Sequence, residues 1–252
     1  MPYGFYVSAE GAHAQNTRLD VIANNLANID TVGFKRQLAL FQARHAEAIE
    51  EGLVAPGTGG IDDIGGGVMV EETKTDYSIA PWKHTKIPTD VAIRGDEGFF
   101  VVQKDDEEFL TRAGNFQITV DGRLTTPEGY SVLNSTGAPI VVNPFDPVLE
   151  IDHYGNVRQT GLVQELALVK PESLDELVRM GENLFKPLSD PQPLPPNERG
   201  VASGYLETSG VRATWEMTEM VKAARMLEAN VNLMKTQDEM LGGLVNRVMR
   251  TR

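Results

Sequence analysis

The sequence predicts an α+β fold: a helix at each end of the chain, the two pairing as a coiled coil, and a central antiparallel β-domain, barrel-like or a sandwich. Three observations carry that expectation. Apolar and small residues recur at spacings of three and four near the start and again after residue 216, the repeat of a helix seam. Residues 91–163 instead read as short β-rich runs broken by turn residues. Two stretches rich in glycine or proline, 46–68 and 187–200, punctuate the chain between these regions. The expected division is therefore an N-terminal coiled-coil helix and turn (1–36), an extended Gly-rich connecting region (37–90), the central β-domain (91–186), a Pro-rich loop and return segment (187–211) and a C-terminal coiled-coil helix (212–252).

The N-terminal seam runs through Phe5, Ala9, Ala12, Asn16, Leu19, Ala23 and Leu26. Its alanines would let a partner helix approach closely. Asn28-Ile29-Asp30-Thr31-Val32-Gly33 ends it, because Asn, Asp and a glycine able to take φ > 0 stop a helix and turn the chain. Phe34 follows as a bulky apolar anchor, with Lys35 and Arg36 expected to face solvent.

In the centre, Phe99–Gln103 and Phe109–Arg112 flank the polar turn Asp105-Asp106-Glu107-Glu108, whose acids read as a solvated hairpin tip. Asn115–Val120 alternates as a strand and leads into Asp121-Gly122, a type I′ hairpin signal. Further runs at 130–133, 140–142, 148–151 and 163–169 continue the pattern.

The C-terminal seam passes through Met217, Met220, Ala224, Leu227, Val231, Met234, Asp238, Leu241, Val245 and Val248. A helix over 214–250 would be about 55 Å long. Asp238, the polar member, reads as a register-setting residue, and Gly242-Gly243 is the weak point, at about 1 kcal/mol per glycine relative to alanine. Complete burial of such a seam would contribute on the order of 15–20 kcal/mol. The N-terminal seam is too short to cover it, so the surplus implies neighbouring molecules.

Composition removes whole classes of function. The 252 residues carry a net charge of −13, which disfavours a nucleic-acid partner, and they include no cysteine, which excludes disulfides, thiolate metal sites and cysteine nucleophiles. The two ends are nearly charge-balanced, so the acidic excess lies in the centre and self-association should use the ends. No apolar run is long enough to form a transmembrane segment, and no basic n-region with an apolar stretch marks a cleaved signal peptide.

The four histidines, His13, His45, His84 and His153, are scattered outside any metal-ligand spacing. Gly65-Gly66-Gly67 lacks the Lys-Ser/Thr of a phosphate loop, no serine sits in GxSxG, and Asn134-Ser135-Thr136 is a bare sequon. No catalytic, cofactor-binding or metal-binding residue is expected, and no small-molecule substrate.

The segment Leu19–Lys35, containing Asn24-Asn25-Leu26-Ala27-Asn28 and then Thr31-Val32-Gly33-Phe34-Lys35, closely resembles the N-terminal signature of the bacterial flagellar rod and hook proteins. Asn24, Asn25, Asn28, Thr31, Gly33, Phe34 and Lys35 make up this signature turn. Gly98–Val102, Phe109–Phe116, Asp121-Gly122 and Gly129-Tyr130 look like that family's β-domain, and Gly181–Phe185 matches another recurrent stretch. Gly204–Ser209 and Glu216–Leu241 resemble its C-terminal signature. Two departures stand at Ser209-Gly210-Val211-Arg212, where the family usually has Ser-Asn-Val-Asn, and at Arg225-Met226-Leu227-Glu228, where it often has Arg-Ala-Tyr-Glu.

The resemblance implies a structural subunit of the basal-body rod, exported by the flagellar export apparatus without a cleaved signal. It would polymerise with copies of itself and with other rod and hook proteins into a hollow, periplasm-spanning tube that transmits torque. The two helix seams would form its assembly interface. The length favours a rod subunit over the longer hook protein, and the 46–68 excursion favours the distal rod protein over a proximal one. Alternatives of other classes are a closed coiled-coil oligomer such as an adhesin, and a carbohydrate-acting β-domain enzyme, which would need a pocket of convergent polar side chains.

Overall fold

Phe99-Phe100-Val101-Val102 is apolar without alternation, the mark of a strand covered on both faces. A computed structural model, which describes residues 3–44, 49, 65–146 and 149–250, bears this out. Phe100 and Val102 point into one cluster with Val91, Ile93, Phe116, Leu124 and Ile140. Phe99 and Val101 point to the opposite face, with Tyr77, Leu110, Leu133 and Phe185. Burying side chains of this size contributes about 1.5–3 kcal/mol each.

The strand Phe99–Lys104 sits centrally in an antiparallel sheet whose order is 177–181, 184–187, 107–111, 99–104, 131–132, 124–125, 117–118. Leu168–Lys170 pairs beside Phe99-Phe100 and joins Gln192–Pro193. The sheet has two open ends and forms no closed barrel, which corrects one form of the expected β-domain. These elements belong to one of two compact units, made of Asn28–Arg36 and Asp76–Val211.

The tight turns also fall differently. Asp105 and Asp106 both have positive φ (48° and 65°), so the type I′ turn lies there, two residues long, and Glu107 already belongs to the next strand. At Asp121-Gly122 only the glycine is left-handed (φ 79°), and the Gly122 amide donates to Thr119 O at 2.9 Å. That is a type I turn closed by a glycine bulge.

The other unit comprises Met1–Ala27, Gln37–Thr75 and Arg212–Arg252. It holds the helices α1 (Tyr3–Ala27) and α2 (Ala213–Arg250), with the antiparallel strands β1 (Gln37–Arg44) and β2 (Gly67–Thr75). Most of the expected 46–68 excursion lies outside the described residues; its last residues, Gly67 and Val68, begin β2. The β1–β2 ladder carries a bulge between Leu40 and Phe41. α1 ends at Ala27, just before the predicted stop.

Candidate assembly interface

α1 and α2 lie antiparallel. Gly4 faces Gln237, Gly11 faces Asn230, and Arg18 Nη2 is 2.6 Å from Glu219 Oε2. The glycines permit the approach: a Cβ on Gly4 would come within 2.9 Å of Gln237 Nε2. On α2, Asn230 and Gln237 meet the α1 glycines, and at the same seven-residue spacing Ala223 and Glu216 are wholly buried.

The apolar seam residues are placed one step round from that line. On α1, Phe5, Ala9, Ala12, Leu19 and Leu26 are half-buried, while Asn16 and Ala23 are exposed. On α2, Met220, Leu227, Val231 and Met234 are half-buried, and Met217, Ala224, Asp238, Leu241 and Val245 are exposed. The side chain of Val248 is outside the described residues. In the contact within the chain, polar residues near Asp238's level fall to Asn230 and Gln237, not to Asp238 itself. Beyond Gln237, level with Gly4 at the start of α1, the helix continues with Met240, Leu241, Leu244, Val245 and Met249 all open to solvent.

The paired asparagines of the signature act on β1. Asn25, wholly buried, donates from Nδ2 to Gln37 O (2.8 Å) and accepts from Gln37 N at Oδ1 (2.9 Å), a side chain standing in for a neighbouring strand. Asn24 Nδ2 reaches the Gln37 side-chain oxygen at 2.6 Å.

In the β unit, the remainder of the signature forms a tight plug. Thr31 bonds back to Asn28 through both backbone (3.3 Å) and side chain (3.1 Å). Gly33 is left-handed (φ 67°) and so close to the chain at Arg112 that an added Cβ would sit 2.5 Å from a backbone carbon. Only glycine meets both demands. Its amide donates to Glu207 O at 2.8 Å. Phe34 is buried beneath the Arg179 guanidinium, 4.2 Å from the ring centroid.

Lys35 does not face solvent: its side chain is fully buried, which corrects the sequence expectation. The three ammonium protons go to Tyr77 O (3.2 Å), Ser78 O (2.9 Å) and Glu207 Oε1 (2.7 Å). Glu207 Oε1 also accepts from the Ala80 amide. Arg112, equally buried, places Nη1 3.6 Å from Glu207 Oε2 and donates from Nη2 to Gly95 O at 2.7 Å. One carboxylate thus serves two buried cations. Burial pushes the Lys35 ammonium below the ordinary lysine range; Arg112 adds to that, and Glu207 opposes it. Burial lowers Arg112 in the same way, again against the pull of Glu207.

Three family models match the chain: "Flagella basal body rod protein" over residues 5–35, "Flagellar hook protein FlgE/F/G D1 domain" over 92–159, and "Flagellar basal body rod FlgEFG protein C-terminal" over 202–247. The flagellar basal-body rod protein FlgG of Bacillus subtilis is 34% identical across 96% of this chain and 97% of its own length. The chain belongs to the flagellar basal-body rod family. FlgG of Borreliella burgdorferi is 30% identical over 99% of the chain and 100% of its own, and FlgF of Caulobacter vibrioides 28% over 98% of each.

Sequence reasoning missed Arg112, Arg179, Asn183 and Glu207 as partners of the turn. A signal for three of them existed. The rod-family stretches Phe109–Phe116, Gly181–Phe185 and Gly204–Ser209 supply Arg112, Asn183 and Glu207, and all three meet the turn; Asn183 donates to Val32 O at 2.7 Å.

Proposed function

We propose that this chain is a FlgG-like distal rod subunit, a structural element without catalysis. In this reading the subunits polymerise, with copies of themselves and with other rod and hook proteins, into a hollow helical tube that crosses the periplasm and transmits torque from motor to hook. The flagellar export apparatus delivers the chain without a cleaved signal. The terminal helices form a coiled-coil layer, and the predicted seam residues on both helices contact neighbouring subunits.

One observation carries this reading. α2 outruns α1, and among the described residues the apolar side chains beyond Gln237 are left exposed; Val245 is 56% exposed and Met249 75%. A head-to-tail contact that does not close extends into a filament, and such an overhang suits it. Val245→Asp should leave the monomer's melting temperature almost unchanged, an effect within about 0.5 kcal/mol for a surface substitution, yet abolish motility in a strain depending on this chain. Leu227→Asp should lose both stability and motility. Normal motility with Val245→Asp and Leu244→Asp combined would sink the interface. The FlgF likeness supports a proximal position as second reading; restoring motility to a strain lacking FlgF, and not to one lacking FlgG, would favour it.

A further inference from the structure

The assembly reading leaves one cleft of the β unit without a role. It measures about 430 Å3 and is lined by His84, Lys86, Glu150, Asp152, Arg158 and Ser203. That volume lies within the roughly 300–1,000 Å3 of small-molecule sites.

Two features mark its rim. Lys86 is left-handed (φ 64°), a conformation that a lysine disfavours, and the Thr85 and Lys86 amides both donate to Gly204 O, at 2.8 and 3.3 Å. Strain of this kind concentrates at ligand clamps. Beside it, the His84 ring stacks on Tyr205, with centroids 4.6 Å apart and planes 21° apart, and Trp82 lies 6.1 Å beyond. The strand register pairs Tyr205 with His84, so Trp82, two residues earlier, shares their face.

The polar lining is mixed in sign. Asp152 and Arg158 satisfy one another at 2.9 Å. The ammonium of Lys86 and the carboxylate of Glu150 make no hydrogen bond or ion pair among the described residues. A phosphate would meet two carboxylates here, and a metal cation would meet lysine and arginine. A neutral pyranose meets neither problem: its hydroxyls both donate and accept, and its C–H face is apolar. We propose that this cleft binds a neutral oligosaccharide. One ring lies on the outer face of the His84 imidazole, whose inner face Tyr205 holds, and its hydroxyls accept from Lys86 and donate to Glu150.

The test is titration of the isotope-labelled full-length chain with cellotriose, with the N-acetylglucosamine trimer and with inorganic phosphate, each to about 10 mM, the range in which sites with few contacts bind. Saturable amide shifts confined to residues 84–86, 150–152 and 203–205 with either sugar are expected. His84→Ala should weaken binding about tenfold, and Tyr205→Phe, which keeps the ring that holds His84, by no more than about twofold. Lys86→Gly separates the clamp from the fold: relief of the positive φ should raise the melting temperature, and loss of the ammonium should weaken sugar binding about fivefold. Unchanged binding by a more stable Lys86→Gly variant would overturn the clamp. Shifts with phosphate alone, or with none of the three, would overturn the proposal.

Discussion

The β unit and the helix unit use their apolar residues in opposite ways. In the β unit Phe99, Phe100, Phe116 and Phe185 are all closed off from solvent, and they share the interior with the charged cluster of Lys35, Arg112 and Glu207. In the helix unit the most deeply buried residues of α2 are Glu216 and Ala223, while Met226, Leu233, Met240 and Leu244 stand half or more exposed. The first arrangement gathers its apolar residues into a core; the second leaves many of a long helix's apolar residues exposed among the described residues. A hydrophobic pattern thus marks a core in one case and an exposed surface in the other, the surface that the proposed assembly would cover.

The largest perturbation should come from within the β unit. Glu207→Gln leaves Lys35 and Arg112 buried without their carboxylate and should cost about 3–5 kcal/mol. Urea unfolding followed by Trp82 fluorescence in a Trp215→Phe background reads it, since Trp82 lies in the β unit. A loss under about 1 kcal/mol would mean that water reaches both cations in the folded chain. On the helix side, Asn25→Ala removes both bonds to the Gln37 backbone and should cost about 1–3 kcal/mol. Faster hydrogen exchange at the Gln37 amide is the direct check, and an unchanged rate would show that β1 holds without the asparagine.

The smallest effect is the pH dependence of Lys35. Its folded-state value lies below the ordinary 10.5. Between the two, the unfolded chain binds the extra proton, so this group's contribution to stability rises as the pH climbs through that window and is flat below it. The difference in unfolding free energy between wild type and Lys35→Met should therefore shift in favour of the wild type on going from neutral pH towards 10.5. A flat difference would place Lys35 in a solvated site and blur the contrast between the units.

Much of the fold was legible because it rests on local patterns: both terminal helices, the stop after Ala27, the apolar burial of Phe34 and the β-rich centre. The unread parts are those decided by distant residues. Lys35 could not be read as buried, because its acceptors are Tyr77, Ser78 and Glu207, and no local pattern announces them. The α1–α2 contact line escaped because it uses Gly4, Gly11, Asn230 and Gln237, residues that a search for apolar periodicity passes over. Asp121-Gly122 is the common dipeptide signal for a type I′ turn, yet the tighter loop is at Asp105-Asp106, where two aspartates accept positive φ.

Gly242 and Gly243 have nothing within 4 Å of where a side chain would begin. Past them α2 runs on to Arg250, held to the rest of the helix through two glycines that each cost about 1 kcal/mol relative to alanine. In the assembly proposed above, an unassembled subunit would expose this end of α2, with arginines at 247 and 250, and a neighbour on the overhang would cover it. Trypsin cleavage at these arginines would then serve as a clock for incorporation, slowing as the proposed interface forms.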